Sequence, residues 1–201
     1  MTTVEMLKYN DNDIIKMFKQ SFGVEISNDI ISEIMSICSV RFFQKGEQII
    51  MVNEELNCVF YILSGSVRSY FTDINGKDMT RYIISQNSIC AEESMMKRNK
   101  SIYGIEALEN GCLLQFPALK LKELIMKNDV LKDIYIDGLE RSLLYKMDRE
   151  NSFMIKSAKQ RYLDFLNEHP DGESHISQKH LASYLGITPE SLSRIRKELS
   201  E

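Results

Sequence analysis

Apolar and polar positions follow different rhythms along this chain, and the changes of rhythm divide it. The region from Asp11 to Cys38 reads as helical, and Ile30, Ile31, Ile34 and Met35, opened by Asn28 and Asp29, predict an amphipathic helix just before the first strand signal. From Arg41 to Pro117 the texture changes to short β-rich runs punctuated by Lys45-Gly46, Ser64-Gly65, Asn75-Gly76 and Asn110-Gly111. Asn-Gly favours a two-residue hairpin turn, so Val67–Thr72 is expected to pair antiparallel with Asp78–Ile84. Many short strands with close turns imply a sandwich or barrel, whose apolar interior can house a small ligand.

Beyond Pro117 the period returns to helical. One long helix is expected from about Asp129 to Ser157, with Ile136, Leu139, Leu143, Met147 and Met154 near one face and Ile134, Tyr135 and Leu144 widening it. Such a stripe needs a partner: the β region, a second copy of the same helix, or both. Lys159–Glu168 is a further amphipathic helix, ended by His169-Pro170-Asp171-Gly172. From Ile176 to Lys197 two short helices are joined by a turn at Gly186: Leu181, Ala182 and Leu185 form the inner stripe of the first, Thr188 can cap the second, Pro189 suits its first turn, and Leu192 and Ile195 face inward. This helix-turn-helix pattern leaves Glu190, Ser191, Arg194 and Lys197 outside, where side chains can reach a major groove. Ser177, Gln178 and Lys179 at the start of the first helix are candidate phosphate contacts, and Thr188 and Pro189 complete the candidate DNA-binding set.

Charge restricts how DNA would be bound. The 201 residues carry a formal net charge of -4, which argues against indiscriminate coating of nucleic acid. Between Ser157 and Glu201 six Lys or Arg face seven Asp or Glu, so affinity must come from local placement and from pairing of two copies. The four cysteines, Cys38, Cys58, Cys90 and Cys112, lack the short spacings of a metal or cluster site and read as buried reduced thiols. His169 and His175 read as loop residues and His180 as a surface residue near the DNA, with no third metal ligand in view. No nucleophile–base pair, phosphate-binding glycine loop or carboxylate cluster supports catalysis, so an enzyme is not expected. With no signal peptide and no apolar run long enough to span a membrane, the cytoplasm is the expected compartment.

A β domain, a long helix and a helix-turn-helix in that order resemble the Crp/Fnr family of bacterial transcription regulators. The resemblance is carried by Lys45-Gly46-Glu47 with Ile49-Ile50, by Val59 through Val67, by Asn75-Gly76-Lys77, and by Gly186 through Arg194. It implies an α+β chain: an N-terminal double-stranded β-helix (jelly roll) effector domain with flanking helices over residues 1–128, a long linker and dimerisation helix over 129–157 with Ile136, Leu139, Leu143 and Met147 at the seam, and a helix-turn-helix domain over 158–201. The implied partners are double-stranded DNA, a second copy of the chain and RNA polymerase, with no membrane. Glu190 and Arg194 match the last two of the family's Arg, Glu and Arg readers, while Pro189 stands in place of the first, which should shift the operator sequence. The sequence stops at Glu201 directly after the second helix, without the β-hairpin wing of larger members, so fewer phosphate contacts are expected.

The effector pocket departs further from the cyclic-nucleotide members. Cys90-Ala91-Glu92-Glu93 stands where those members have a Gly-Glu turn that holds the ribose; Glu92 can take that part, or both glutamates can simply cap the helix running into Ser94-Met95-Met96. The phosphate side falls at Lys100-Ser101-Ile102-Tyr103, where no arginine stands, although Arg98 and Lys100 are close. Without a guanidinium fork a cyclic phosphate would be buried poorly paired, so the expected effector is a small molecule other than cAMP. The pocket set is Cys90, Ala91, Glu92, Glu93, Ser101, Ile102 and Tyr103, and no cofactor is identifiable. Three alternatives rank lower: a ligand-binding module acting on a protein partner, which has no use for residues 176–197; a haem or redox sensor, which lacks histidines in the β region; and a metal-dependent cupin enzyme, for the same reason.

Overall fold

The computed structural model describes residues 26–96, 100–170 and 172–200. Residues 11–25 of the expected N-terminal helix, and Arg98, lie outside the described residues. The chain is α+β. Helix α1 (Asn28–Ile37) starts at Ser27, whose hydroxyl accepts from the Ile30 N–H, and leads into strands β1 (Ser39–Phe43), β2 (Gln48–Ile50), β3 (Cys58–Ser64), β4 (Val67–Thr72), β5 (Asp78–Ile84), β6 (Ile89–Cys90), β7 (Gly104–Ala107) and β8 (Gly111–Pro117). These form two antiparallel four-stranded sheets, ordered β1-β8-β3-β6 and β2-β7-β4-β5.

Strand β3 shows why the sandwich holds. Its run Val59-Phe60-Tyr61-Ile62-Leu63 is apolar at every position because both faces are covered. Phe60 and Ile62 point between the sheets, where they meet Phe43, Ile49, Val67, Ile105 and Leu113. Val59, Tyr61 and Leu63 point the other way, into a second core with Ile31 and Ile34 of α1, Ile125 of helix α2 (Ala118–Lys127) and Leu131 of helix α3 (Asp129–Ile155). Helix α3 opens at Asn128, whose side chain accepts from the Leu131 N–H at 3.1 Å. After that first anchored stretch the helix carries its apolar stripe into solvent: Ile136, Leu143 and Met147 are all more than half exposed.

The β4–β5 pairing is as expected, but the turn is not a two-residue one. The ladder ends at Thr72–Asp78, and the Asp73 N–H donates to the Lys77 carbonyl while the Asp73 carboxylate accepts from the Asn75 and Lys77 N–H groups. An acidic side chain able to cap two backbone donors wins over the bare Asn-Gly preference, and Gly76 supplies the left-handed residue inside the longer loop.

The C-terminal third is helical: α4 (Ala158–Glu168), closed at its start by a Ser157–Gln160 capping box, then α5 (Gly172–His175), α6 (Gln178–Tyr184) and α7 (Pro189–Ser200). Leu181, Ala182, Tyr184, Leu185 and Leu192 bury against Tyr162 and Phe165 of α4. This third core does not close on itself; it includes Ile83 of β5 and Leu108 after β7. Strand β5 ends its sheet, and α6 lies along it, with the Thr80 N–H donating to the Ser183 hydroxyl at 2.8 Å.

Gly111 is where the sheets tolerate no side chain. A Cβ there would lie 2.2 Å from the Ser64 carbonyl oxygen and 2.5 Å from the Phe43 ring. Gly111→Ala is expected to cost about 1–3 kcal/mol or more, because backbone as well as a ring must move. Urea unfolding monitored by circular dichroism checks this; an unchanged midpoint would contradict the packing described.

Candidate functional site

Two features are candidates for function: a cavity beside β5 and the outer face of α7. The cavity, about 700 Å³, opens between the sandwich, the turn after β6 and helix α3. Of the residues expected around it, Cys90, Ala91, Glu92, Glu93 and Tyr103 line it. Ser101 and Ile102 do not. Ser101 is fully buried and its hydroxyl is consumed by the backbone of Tyr103, donating to the carbonyl and accepting from the N–H, while Ile102 points to solvent. A short 3₁₀ helix over Glu92–Met95 begins here, and Ala91 before it takes a left-handed φ of 64°. That conformation is where a Gly-Glu turn would place its glycine.

A guanidinium does enter the cavity, and it comes from β5. Tyr70 pairs with Thr80 and Ser69 with Tyr82, so Arg81 is the extra residue of a β-bulge. A bulge re-aims the strand's side chains, and Arg81 lies over the rings of Tyr82 (4.5 Å), Phe71 (5.3 Å) and Tyr103 (5.5 Å). It pairs with Glu93 at 3.5 Å, and the Tyr103 hydroxyl donates to the other Glu93 oxygen at 2.8 Å. Glu93 is therefore matched on both sides. Glu92 is different: among the described residues no ion pair reaches it, and burial, with the Glu93 charge adding to it against the opposing charges of Lys146 and Arg81, holds its carboxyl above the ordinary value. Burial likewise raises the Tyr103 hydroxyl, with Glu93 reinforcing the shift.

The cavity wall continues into the C-terminal helices. The Tyr82 ring lies 5.6 Å from that of Tyr145 on α3, and the Tyr145 hydroxyl is 3.3 Å from the Tyr184 hydroxyl at the end of α6. Arg149 donates to the Tyr184 carbonyl at 2.7 Å and stacks on its ring at 3.9 Å. The turn residue Gly186, with φ of 68°, sits against Phe153 of α3 so closely that a Cβ would meet the ring at 2.6 Å. Sequence reasoning missed Arg81, Tyr82 and Tyr145, because a bulge and a cross-element stack leave no local pattern.

The second feature is α7. Thr188 caps it, accepting from the Ser191 N–H at 3.2 Å, and Pro189 starts it. Leu192 is buried while Glu190, Arg194 and Lys197 are exposed, and Ser191 is half-buried beside the cap. The Thr188 hydroxyl bonded to Glu190 holds that carboxyl below its ordinary value. At the start of α6, Ser177 is the cap, accepting from the His180 N–H, and Lys179 is exposed. Gln178 does more than meet solvent: its amide donates to the Pro189 carbonyl at 2.8 Å and the Ser193 hydroxyl at 2.9 Å, fixing the angle between α6 and α7. Along α3, Leu139 turns toward the cavity while Ile136, Leu143 and Met147 face out.

The histidines and cysteines play other parts. His180 is not a solvated neighbour of the outer helix face; it is half-buried on the β-domain side, and burial, together with the nearby Arg68 charge, lowers its pKa. Arg68 is itself buried beneath it, bonded to Glu106 and, at 3.0 Å, to Asp78. His169 caps the end of α4 and lines the cavity, and His175 lies 3.4 Å from Glu109. All four cysteines are free thiols, and among the described residues no cluster suited to a metal ion occurs. Among the described residues no helix is long and apolar enough to cross a membrane.

The raised carboxyl of Glu92 has a thermodynamic consequence. The folded state holds this proton more tightly than the unfolded chain, so ionisation of Glu92 costs stability as pH rises through and above the ordinary glutamate range. Glu92→Gln should therefore raise the melting temperature at about pH 8, with the gain closing by about pH 4 where both side chains are neutral. Calorimetric melts across that range check it, and an equal gain at both ends would contradict the burial argument.

Residues 40–128 match the family model described as the cyclic nucleotide-binding domain. No curated protein sequence gives a significant match. Among solved structures, FixK2 from Bradyrhizobium japonicum is similar at 19% identity, with a TM-score of 0.73 over 82% of this chain and 85% of that one. The c-di-GMP responsive global regulator CLP of Xanthomonas campestris is 14% identical, with a TM-score of 0.70 over 87% of this chain and 92% of the other. A transcriptional regulator of the Crp/Fnr family from Eubacterium rectale is 20% identical, with a TM-score of 0.70 over 87% and 84%. At such identities the likeness establishes fold. Residues 40–128 thus match the cyclic nucleotide-binding domain model, and the chain shares the fold of these solved structures.

Proposed function

We propose that this chain is a DNA-binding transcriptional regulator that works as a homodimer. In this reading residues 1–128 sense a small effector, residues 129–157 pair two copies, residues 158–201 read a palindromic operator, and transcription by RNA polymerase is the process regulated. The observation that carries the reading is α7, which turns Glu190, Arg194 and Lys197 to solvent while Leu192 and the Thr188 cap fix it from behind. A Glu can accept from cytosine N4, and an Arg can grip guanine O6 and N7 together. With a spacing of four, both project from one side of the helix. Ser177, Gln178, Lys179, Thr188, Pro189 and Ser191 surround that pair as phosphate contacts and supports, Gln178 chiefly by holding the two helices at a set angle.

Pairing is supported by α3. Ile136, Leu143, Leu144 and Met147 are between 52% and 60% exposed, a contiguous apolar face that a lone helix does not keep in water. A twofold axis along this face would present two α7 helices to successive major grooves. The local charge balance supports the same conclusion, because a single acidic copy has little sequence-independent hold on DNA.

Selection of bound DNA from a random pool supplies the operator on which both elements are tested. Arg194→Glu, at an exposed position, should leave the circular dichroism spectrum unchanged and weaken operator binding about thirtyfold or more, since the dimer loses two bidentate base contacts of ~1–3 kcal/mol each. Retained operator binding would remove Arg194 from the base-reading role. Leu143→Asp should shift sedimentation from dimer to monomer at micromolar concentration and weaken operator binding with it. A dimer that survives this change would place the seam elsewhere.

A further inference from the structure

We propose that the cavity accepts an amine carried on an apolar, ring-bearing body, with Glu92 as the carboxylate that receives the ammonium group. The proposal rests on the reading of the cavity as the effector site and names the chemistry that site selects. Its walls are mainly apolar, with Ile34, Ile83, Ile84, Ile125 and Ile134 among them, and its volume of about 700 Å³ suits a drug-sized molecule. What distinguishes a head group is the state of the polar side chains in the wall.

Arg81 and Glu93 are engaged with each other, and the Tyr103 hydroxyl occupies the second Glu93 oxygen. At this end of the cavity an incoming anion would have to displace Glu93 from Arg81 and would then sit beside two carboxylates; the other cations of the wall, Arg141 and Lys146, stand on α3, Arg141 paired with Asp137. Glu92 has no such contact. It stands half-buried in the cavity wall with no ion pair among the described residues, and the more distant charges of Lys146 and Arg81 only partly offset the burial that raises its carboxyl, so its ionised form is costly. A ligand cation relieves that cost directly. The Ser69 hydroxyl, also in the wall and 2% exposed, has no hydrogen-bond partner among the described residues and is a second polar group a ligand can satisfy.

The ring faces point the same way. Arg81 already lies over Tyr82 and Tyr103, so this end of the cavity stabilises a cation on tyrosine faces. Tyr135 and Tyr145 line the same cavity. Glu92 lines the same cavity as these rings. A cavity that combines a carboxylate with aromatic faces has the chemistry that recognises an organic ammonium group.

The test uses the full chain and two fluorescent probes that share one fluorophore: dansylcadaverine, with an amine tail, and dansylglycine, with a carboxylate. Dansylcadaverine should show saturable, blue-shifted emission and bind at least about tenfold more tightly than dansylglycine, with most of that preference lost in Glu92→Gln and a smaller part in Ser69→Ala. Glu92→Gln keeps shape and volume, so a folded variant with altered preference isolates the charge. Equal binding of both probes, an amine preference unaffected by Glu92→Gln, or no binding of either, would overturn the proposal. Operator affinity measured with saturating dansylcadaverine separates it from the reading beneath: an amine preference that depends on Glu92 without any change in operator affinity would uphold the ligand chemistry and remove the effector role.

Discussion

Strand β5 is the last strand of its sheet, and its outer edge of backbone donors and acceptors has to be covered. Helix α6 covers it, with the Ser183 hydroxyl taking the Thr80 N–H and Ile83 entering the core of the C-terminal helices. Much of the remaining organisation follows from that contact. A solvated edge would invite pairing with another chain, and an uncovered Ile83 would leave the third core open. The C-terminal helices are therefore held against the sandwich, rather than strung from the end of α3.

The same strand is a wall of the cavity. Its bulge at Arg81 turns that guanidinium over the tyrosines, and the next residue, Tyr82, stacks on Tyr145, whose hydroxyl meets Tyr184 at the end of α6. A displacement of the strand by a ligand therefore has a physical route to the angle at which α6 and α7 sit. Coupling of this kind requires that a ligand favour one arrangement of the strand over another, and the tyrosine contacts are the bonds that would differ between the two. Gly186 against Phe153 and Arg149 on Tyr184 tie the same turn to α3, so the proposed seam and the proposed reading helix share a set of contacts.

How much of this was legible in the sequence depended on whether the signal was local. The strands around Asn75-Gly76, the long helix from Asp129, the start of α4 and the Thr188-Pro189 opening of α7 rest on periodicity and caps, which a few neighbouring residues determine. The turn after β4 was longer than expected because the Asp73 side chain, four residues before Lys77, competes for the backbone donors. The pocket was half readable: Cys90 through Glu93 and Tyr103 line it, but Ser101 turns back onto its own backbone and Ile102 points away. Arg81 was invisible because only the register slip between β4 and β5 sends it inward. The half-burial of His180 leaves no local signal, because the Arg68 and Glu106 charges near it come from strands more than seventy residues earlier.

The claim on which this account turns is that α6 and β5 form one cooperative unit. Native-state hydrogen exchange of the Thr80 amide measures it most directly, because its partner lies on α6 and not in the sheet. Thr80 is expected to be protected and to exchange together with the amides of Leu181 through Leu185, and Ser183→Ala to remove its protection while leaving the β3 and β8 amides slow. Free exchange of Thr80 in the unaltered protein, with α6 protected independently of it, would contradict the account.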